Sequence, residues 1–126
     1  MAAHARVLRS TNSPAKAVVL RNFERADTPM KRFLGIMFRK KISRPLLFKF
    51  QAEARFANSI HSFFCLVPFD AVFLDSKKRV VDVVEAIPPF RLLIVPKAPA
   101  LYLVEGPAGF AKATGLRKGV VLRFEG

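Results

Sequence analysis

A chain of 126 residues is a single domain's worth of sequence (1–126), able to bury roughly two-thirds of its unfolded surface without metal or disulfide. One cysteine, Cys65, excludes an internal disulfide and points to a reducing, cytoplasmic setting, and no apolar run reaches the eighteen or so residues of a membrane span. The net charge of +13 is uneven: residues 1–50 carry twelve Lys/Arg against Glu24 and Asp27, whereas residues 51–126 carry ten against seven acids.

Residues 1–16 hold scattered basic side chains and a Thr-Asn-Ser-Pro turn at 11–14, so the first few are expected to be loose, with Val7-Leu8 as a short edge strand. Residues 15–26 read as a strand with Val18, Leu20 and Phe23 inward. Thr28-Pro29 then has the chemistry of a helix start, a side-chain cap followed by proline in the first turn. Met30, Phe33, Leu34 and Met37 recur at helical spacing, which predicts one helix over residues 28–40 with those four on the core and Arg32 and Arg39 outward. Gly35 inside that span predicts a close approach to the sheet.

Leu46, Phe48 and Phe50 alternate as one buried face of a strand opening at Pro45, followed by a polar interval at 51–58. Ala71 to Leu74 and Val80 to Val84 are β-branched and aromatic, with Ser76-Lys77-Lys78 between them. Neither run alternates with polar residues, which predicts a hairpin at the centre of a sheet and covered on both faces. Ile87-Pro88-Pro89-Phe90 breaks the sheet, because proline donates nothing to a ladder. Residues 91–95 and 101–105 read as further strands, 107–114 as a short helix with Phe110 and Ala111 inward and Gly115 as its left-handed stop, and 120–124 as the last strand. The class is mainly β: an antiparallel β-sandwich, jelly-roll-like, with one longer and one short peripheral α-helix.

Several of these stretches resemble one uncharacterised prokaryotic family, domain of unknown function family 192. Residues 31–39 (KRFLGIMFR) are similar to its Arg-x-x-Gly-Leu-Met-Phe-Arg signature, 60–65 (IHSFFC) to its Ile-His-x-Phe-Phe-Met run, and 68–75 (PFDAVFLD) to its Pro-Ile-Asp-Val-Val-Phe-Leu-Asp core. Residues 107–119 look like its closing helix-turn. The likeness runs in order from about 18 to 124. It implies a jelly-roll type sandwich and no established activity. The chain departs from the pattern at Cys65 (usually Met), at Val120 (usually Asp) and at the two lysines of the hairpin loop (usually Asp-Gly).

The candidate chemistry is sparse. On a strand, His61 and Cys65 would stand about 13 Å apart, too far for a base to activate a thiol, and Cys65 reads as a buried, inert sulfur. Asp70, set inside an apolar run, is expected to be hydrogen-bonded to backbone or paired with an arginine. The interleaved Phe48-Lys49-Phe50 and Arg55-Phe56 have the composition of a stacking platform, although alternating Phe is more often core. No phosphate-cradling loop, nucleophile elbow or dinucleotide fingerprint is present, and no metal or other cofactor is called for. Three readings remain. The leading one is a non-enzymatic binding module. The second is a binder of nucleic acid or another polyanion through Arg32, Arg39, Lys40, Lys41 and Arg44. The third is an enzyme with His61 and Asp70 in one pocket.

Overall fold

The two apolar runs of the expected hairpin are adjacent strands, β5 (Phe69–Leu74) and β6 (Val80–Ile87). Around them the computed structural model describes residues 5–9 and 16–125, the first five and Lys16 by their backbone. The remaining elements are β1 (Ala5–Arg9), β2 (Lys16–Leu20), β3 (Glu24–Arg25), α1 (Pro29–Leu34), β4 (Leu46–Ala54), β7 (Ala100–Pro107), α2 (Phe110–Thr114) and β8 (Val121–Phe124). One sheet has the order β1-β2-β8 and the other β3-β4-β7-β5-β6. The protein is therefore mainly β with two helices, as expected. Its sheets are mixed, because β2 lies parallel to β8 and β3 parallel to β4. β1 is the expected edge strand; the turn at 11–14 lies outside the described residues.

The larger sheet separates two apolar clusters, and the period of two along each strand decides which residue joins which. Leu46, Phe48, Phe69, Ala71, Phe73, Leu103 and Ile87 face one cluster, completed by Ile36, Ile42, Cys65 and Ile94 from the loops above. Leu47, Val72, Leu74, Val80 and Val104 face the other, where Val18, Leu20 and Leu122 of the smaller sheet and Phe110 and Ala111 of α2 meet them. This accounts for the absence of alternation in β5, whose six positions are all buried. Only β5 of the hairpin is central. β6 is the last strand of its sheet, and its start is tied to the smaller one: Val80 N–H donates to Val120 at 2.8 Å and Gly119 N–H to Val80 at 2.9 Å.

The predicted long helix is not observed. Thr28 Oγ1 accepts the Lys31 N–H at 3.1 Å, so the start is as expected, but α1 ends at Leu34 and buries nothing. Gly35 (φ 51°) and Phe38 (φ 65°) turn the chain instead. Ile36 is driven into the core, while Met30 and Phe33 are left in solvent. A helix this short gains little from its own hydrogen bonds, so burial of Ile36 and the bond from Phe38 N–H to the Phe64 carbonyl (2.9 Å) outweigh the helical period. The two helices are accordingly of near-equal length, six and five residues. Residues 91–95 also differ from the expected strand. Only Ile94 pairs, with Ile60, because the backbone around Phe90 and Arg91 is bonded to Ser62. No helix among the described residues is long and apolar enough to cross a membrane.

Candidate functional site

β7 carries Leu103 and Glu105 on the face that looks toward Phe48 and the loop after α1. Glu105 is buried at the end of a run that otherwise reads as core, and its carboxyl lines a cavity of about 220 Å³. The walls are Ile36, Met37, Phe48, Phe50, Ile60 and Leu103, with Arg32, Ser59 and His61 also bordering the space. Burial in this apolar setting pushes the Glu105 carboxyl up to about 8, and the nearby Arg39 charge opposes that rise without cancelling it. Glu105 therefore holds its proton at neutral pH. A protonated carboxyl facing this cavity can donate one hydrogen bond to a guest, and it can ionise if the guest brings a cation.

Gly35 closes this site from above. A Cβ at residue 35 would stand 3.0 Å from Cζ of Phe48 and 3.3 Å from Oε1 of Glu105, and the backbone there has φ 51°. The close approach foreseen for Gly35 is real, and the carboxyl of Glu105 is part of what it approaches. Arg39, four residues on, binds Glu24 of β3 with Nη1 to Oε2 at 2.7 Å and Nη2 to Oε1 at 3.5 Å. That pairing draws the guanidinium inward, where its charge reaches Glu105. Cys65 is buried beside the same cavity. Desolvation, with Glu105 as the lesser cause, pushes its thiol up to about 11, which makes it a poor nucleophile.

His61 lies at the rim, exposed, with Nδ1 accepting the Phe63 N–H at 3.2 Å. Asp70 is not with it. Its carboxylate is enclosed on the α2 side of β5, where Oδ1 accepts the Ala86 N–H at 2.8 Å and Oδ2 the Ala111 N–H at 2.9 Å. Both oxygens of Asp70 hold backbone together, and the structure does not bring this residue to His61. The five cations of the predicted polyanion surface are dispersed as well. Arg32 borders the Glu105 cavity, Arg39 turns to Glu24, Lys40 and Lys41 flank a depression with Val67 and Pro68, and Arg44 borders another with Arg21 and Arg25. Phe48 and Phe50 pack in or against the core, so no stacking platform exists there, although Lys49 points the other way, over Tyr102.

Glu105 is absent from the candidates that the sequence suggested. The signal was available: in LYLVEG it stands two residues after Leu103, so a strand that buries Leu103 also turns this acid inward.

The family model DUF192, described as Uncharacterized ACR, matches residues 9–124. The chain belongs to the DUF192 family. Over 94 residues, 75% of this chain and 78% of the relative, it is 44% identical to a UPF0127 protein of Pyrococcus furiosus. It is also 43% identical over 99 residues (79% of this chain) to a UPF0127 protein of Thermococcus kodakarensis, of which it spans only 62% of the length. Two crystal structures share the DUF192 fold. One, a protein of unknown function from Novosphingobium aromaticivorans, has a TM-score of 0.69 at 19% identity and covers 91% of this chain and 79% of that one. The other, described as a candidate transcription regulator of Sinorhizobium meliloti, has a TM-score of 0.67 at 21% identity over 91% and 87%.

Proposed function

We propose that this DUF192 chain is a non-enzymatic binding module whose ligand occupies the cavity at Glu105. The scaffold in this reading is the two-layer β-sandwich, and the setting is cytoplasmic, where Cys65 stays a thiol. The observation that carries the reading is a buried carboxyl, held protonated to about pH 8, on the wall of a half-open cavity of about 220 Å³ where Ile36, Phe48, Ile60 and Leu103 meet Arg32, Ser59 and His61. A pocket with apolar walls and one strongly perturbed titratable group is the arrangement that small-molecule sites share. A cleft of about 530 Å³ between β6 and α2 is larger, and it is lined by Lys97, Lys112, Arg117 and Lys118 with Asp82 and Glu85, a set of charged side chains that suits a polar guest. The ligand class is a small, mostly apolar molecule presenting a carbonyl or hydroxyl oxygen to the Glu105 proton. A fragment screen by NMR, with methyl signals of Ile36, Ile60 and Leu103 as reporters, tests the reading. Hits should shift those methyls in the wild type and bind weakly to Glu105→Gln. Hits that collect in the β6–α2 cleft, or no hits at all, would sink it.

A second reading, polyanion binding, is supported by a surface that shares only Arg32 with the one the sequence suggested and also contains Asp27. Arg25, Arg32, Lys49 and Lys78 surround a cleft of about 400 Å³ containing Tyr102 and Phe124. Lys78 Nζ lies 5.9 Å from the Tyr102 ring and 5.6 Å from that of Phe124. Cations over aromatic rings are the elements of a single-strand binding groove. Titration with labelled oligonucleotides at two salt concentrations decides: Lys49→Ala with Lys78→Ala should weaken binding to every sequence and flatten the salt dependence. Binding unchanged in that variant rejects this cleft.

A further inference from the structure

Four phenylalanines outside both cores form a continuous exposed row. Phe38 stacks on Phe64 (centroids 5.5 Å, planes 25° apart), Phe64 meets Phe63 at 5.9 Å, and Phe63 meets Phe90 edge-on at 6.4 Å. Phe90 is 71% exposed and Phe64 53%, and Leu66, Leu92 and Leu93 are exposed on the same loops. The two ends of the row are the residues with unusual backbone. Phe38 and Phe90 have φ of 65° and 68°, a region that a bulky side chain enters only when the surrounding structure imposes it. The imposing contacts are in place: Phe38 N–H donates to Phe64 O and Phe90 N–H to Ser62 O, each at 2.9 Å, while the buried Ser62 hydroxyl donates to Pro88 O at 2.6 Å and accepts the Arg91 N–H at 2.8 Å. The fold thus holds two strained phenylalanines outward, in solvent.

The segments that carry the row bring cations and no acid of their own, although Arg39 among them is paired with Glu24. Residues 36–45, 59–68 and 88–93, which carry these side chains, contain Arg39, Lys40, Lys41, Arg44 and Arg91 and not one acid. Lys40 and Lys41 follow one end of the row and Arg91 the other. From this we infer that the face docks on an anionic lipid surface, with the phenyl rings entering the boundary of the acyl chains and Lys40, Lys41 and Arg91 meeting lipid phosphates. Rings with cations at both ends can reach apolar depth while their charges stay at headgroup level. A nucleic acid would satisfy the cations and stack its bases on the rings, but it would leave Leu66, Leu92 and Leu93 in water, whereas acyl chains cover both. The inference stands on the row and its charges and does not need the Glu105 cavity to be a ligand site.

The test is co-sedimentation of the full chain with vesicles of phosphatidylcholine mixed with phosphatidylglycerol, against phosphatidylcholine alone, at low and high salt. Partition should be strong on the anionic vesicles and fall with salt. Phe38→Asn with Phe90→Asn removes both end rings at positions where asparagine tolerates positive φ, so the variant should melt no lower than the wild type yet lose vesicle binding. Lys40→Ala with Lys41→Ala should lower partition on anionic vesicles by roughly tenfold or more. Lys112→Ala with Lys118→Ala removes the same charge near α2 and should change little. Equal loss in the two lysine pairs, partition untouched by the asparagine pair, or no partition at low salt would each overturn the inference. So would sedimentation velocity showing a dimer that the asparagine pair dissolves, since a second copy would then cover the row.

Discussion

Glu105 and Gly35 are in close approach: Oε1 of Glu105 is 3.3 Å from the place where a Cβ at residue 35 would stand, so a side chain there would have to push its neighbours aside. The turn after α1 therefore lies close to the carboxyl and adds to the burial that retains the proton to about pH 8. Gly35→Ala should destabilise the protein by about 1–3 kcal/mol from backbone strain at φ 51° alone, with displacement of the Phe48 ring adding to it. Urea denaturation measures this, and a neutral result would show that the turn moves aside freely.

The raised value at Glu105 fixes a pH dependence with a definite sign. Below about pH 4.5 the group is protonated in both folded and unfolded chains and contributes nothing. As pH rises toward 8 the unfolded chain releases this proton and the folded one does not, so the group's contribution to stability falls through that window and levels off above it. The loss amounts to a few kcal/mol, roughly 1.4 per unit of separation. Glu105→Gln should abolish that part of the slope, being close to wild type at pH 5 and more stable than wild type at pH 9. Denaturation curves at the two pH values check it; parallel wild-type and variant profiles would mean that the carboxyl is solvated.

Asp70 and His61 should respond in opposite ways. Asp70→Asn puts an amide NH₂ where Ala86 or Ala111 N–H now donates, and leaving one buried donor unpaired should destabilise by roughly 1–3 kcal/mol. His61→Ala, at an exposed rim position, should leave stability within about half a kcal/mol of wild type. Comparable losses in both would contradict the separation of the two residues.

Much of the fold was legible in the residues, and the misses share a cause. β5 was readable because its apolar run is continuous; α2 because Gly115 stands where a left-handed stop is needed, and it has φ 74°. β6 was read as central because its residues match β5 in composition, yet its order in the sheet depends on where β7 enters, which no local pattern encodes. The stripe Met30-Phe33-Leu34-Met37 misled in part: Met37 packs against the core and Leu34 is half-buried, but Met30 and Phe33 are held out in solvent, a difference that helical spacing does not encode. Asp70 was legible as a buried acid with backbone partners. The inward turn of Glu105 was legible from its spacing to Leu103, whereas the cavity it lines was not, because only the folded turn at Gly35 supplies the second wall.

Core truncations should rank by burial. Phe73→Ala removes a fully buried ring from β5 and should destabilise by about 3–5 kcal/mol, whereas Val83→Ala, half-buried on the edge strand, should lose less. Chemical denaturation gives the order, and the reverse order would misplace β6. Cys65→Met should stay folded, with overpacking of about 1–3 kcal/mol as the upper bound, and native Cys65 should react slowly with thiol reagents at pH 8, since its thiol is pushed up to about 11.

In the proposed function the Glu105 carboxyl is a buried, protonated group that a ligand engages. The most direct measurement is a ¹³C NMR titration of this carboxyl, free and with a bound fragment carrying a neutral oxygen acceptor. The free midpoint should lie near 8 and move upward when the fragment takes the proton's hydrogen bond. A midpoint near the ordinary glutamate value of about 4.3, or one that no cavity-binding fragment moves, would contradict it.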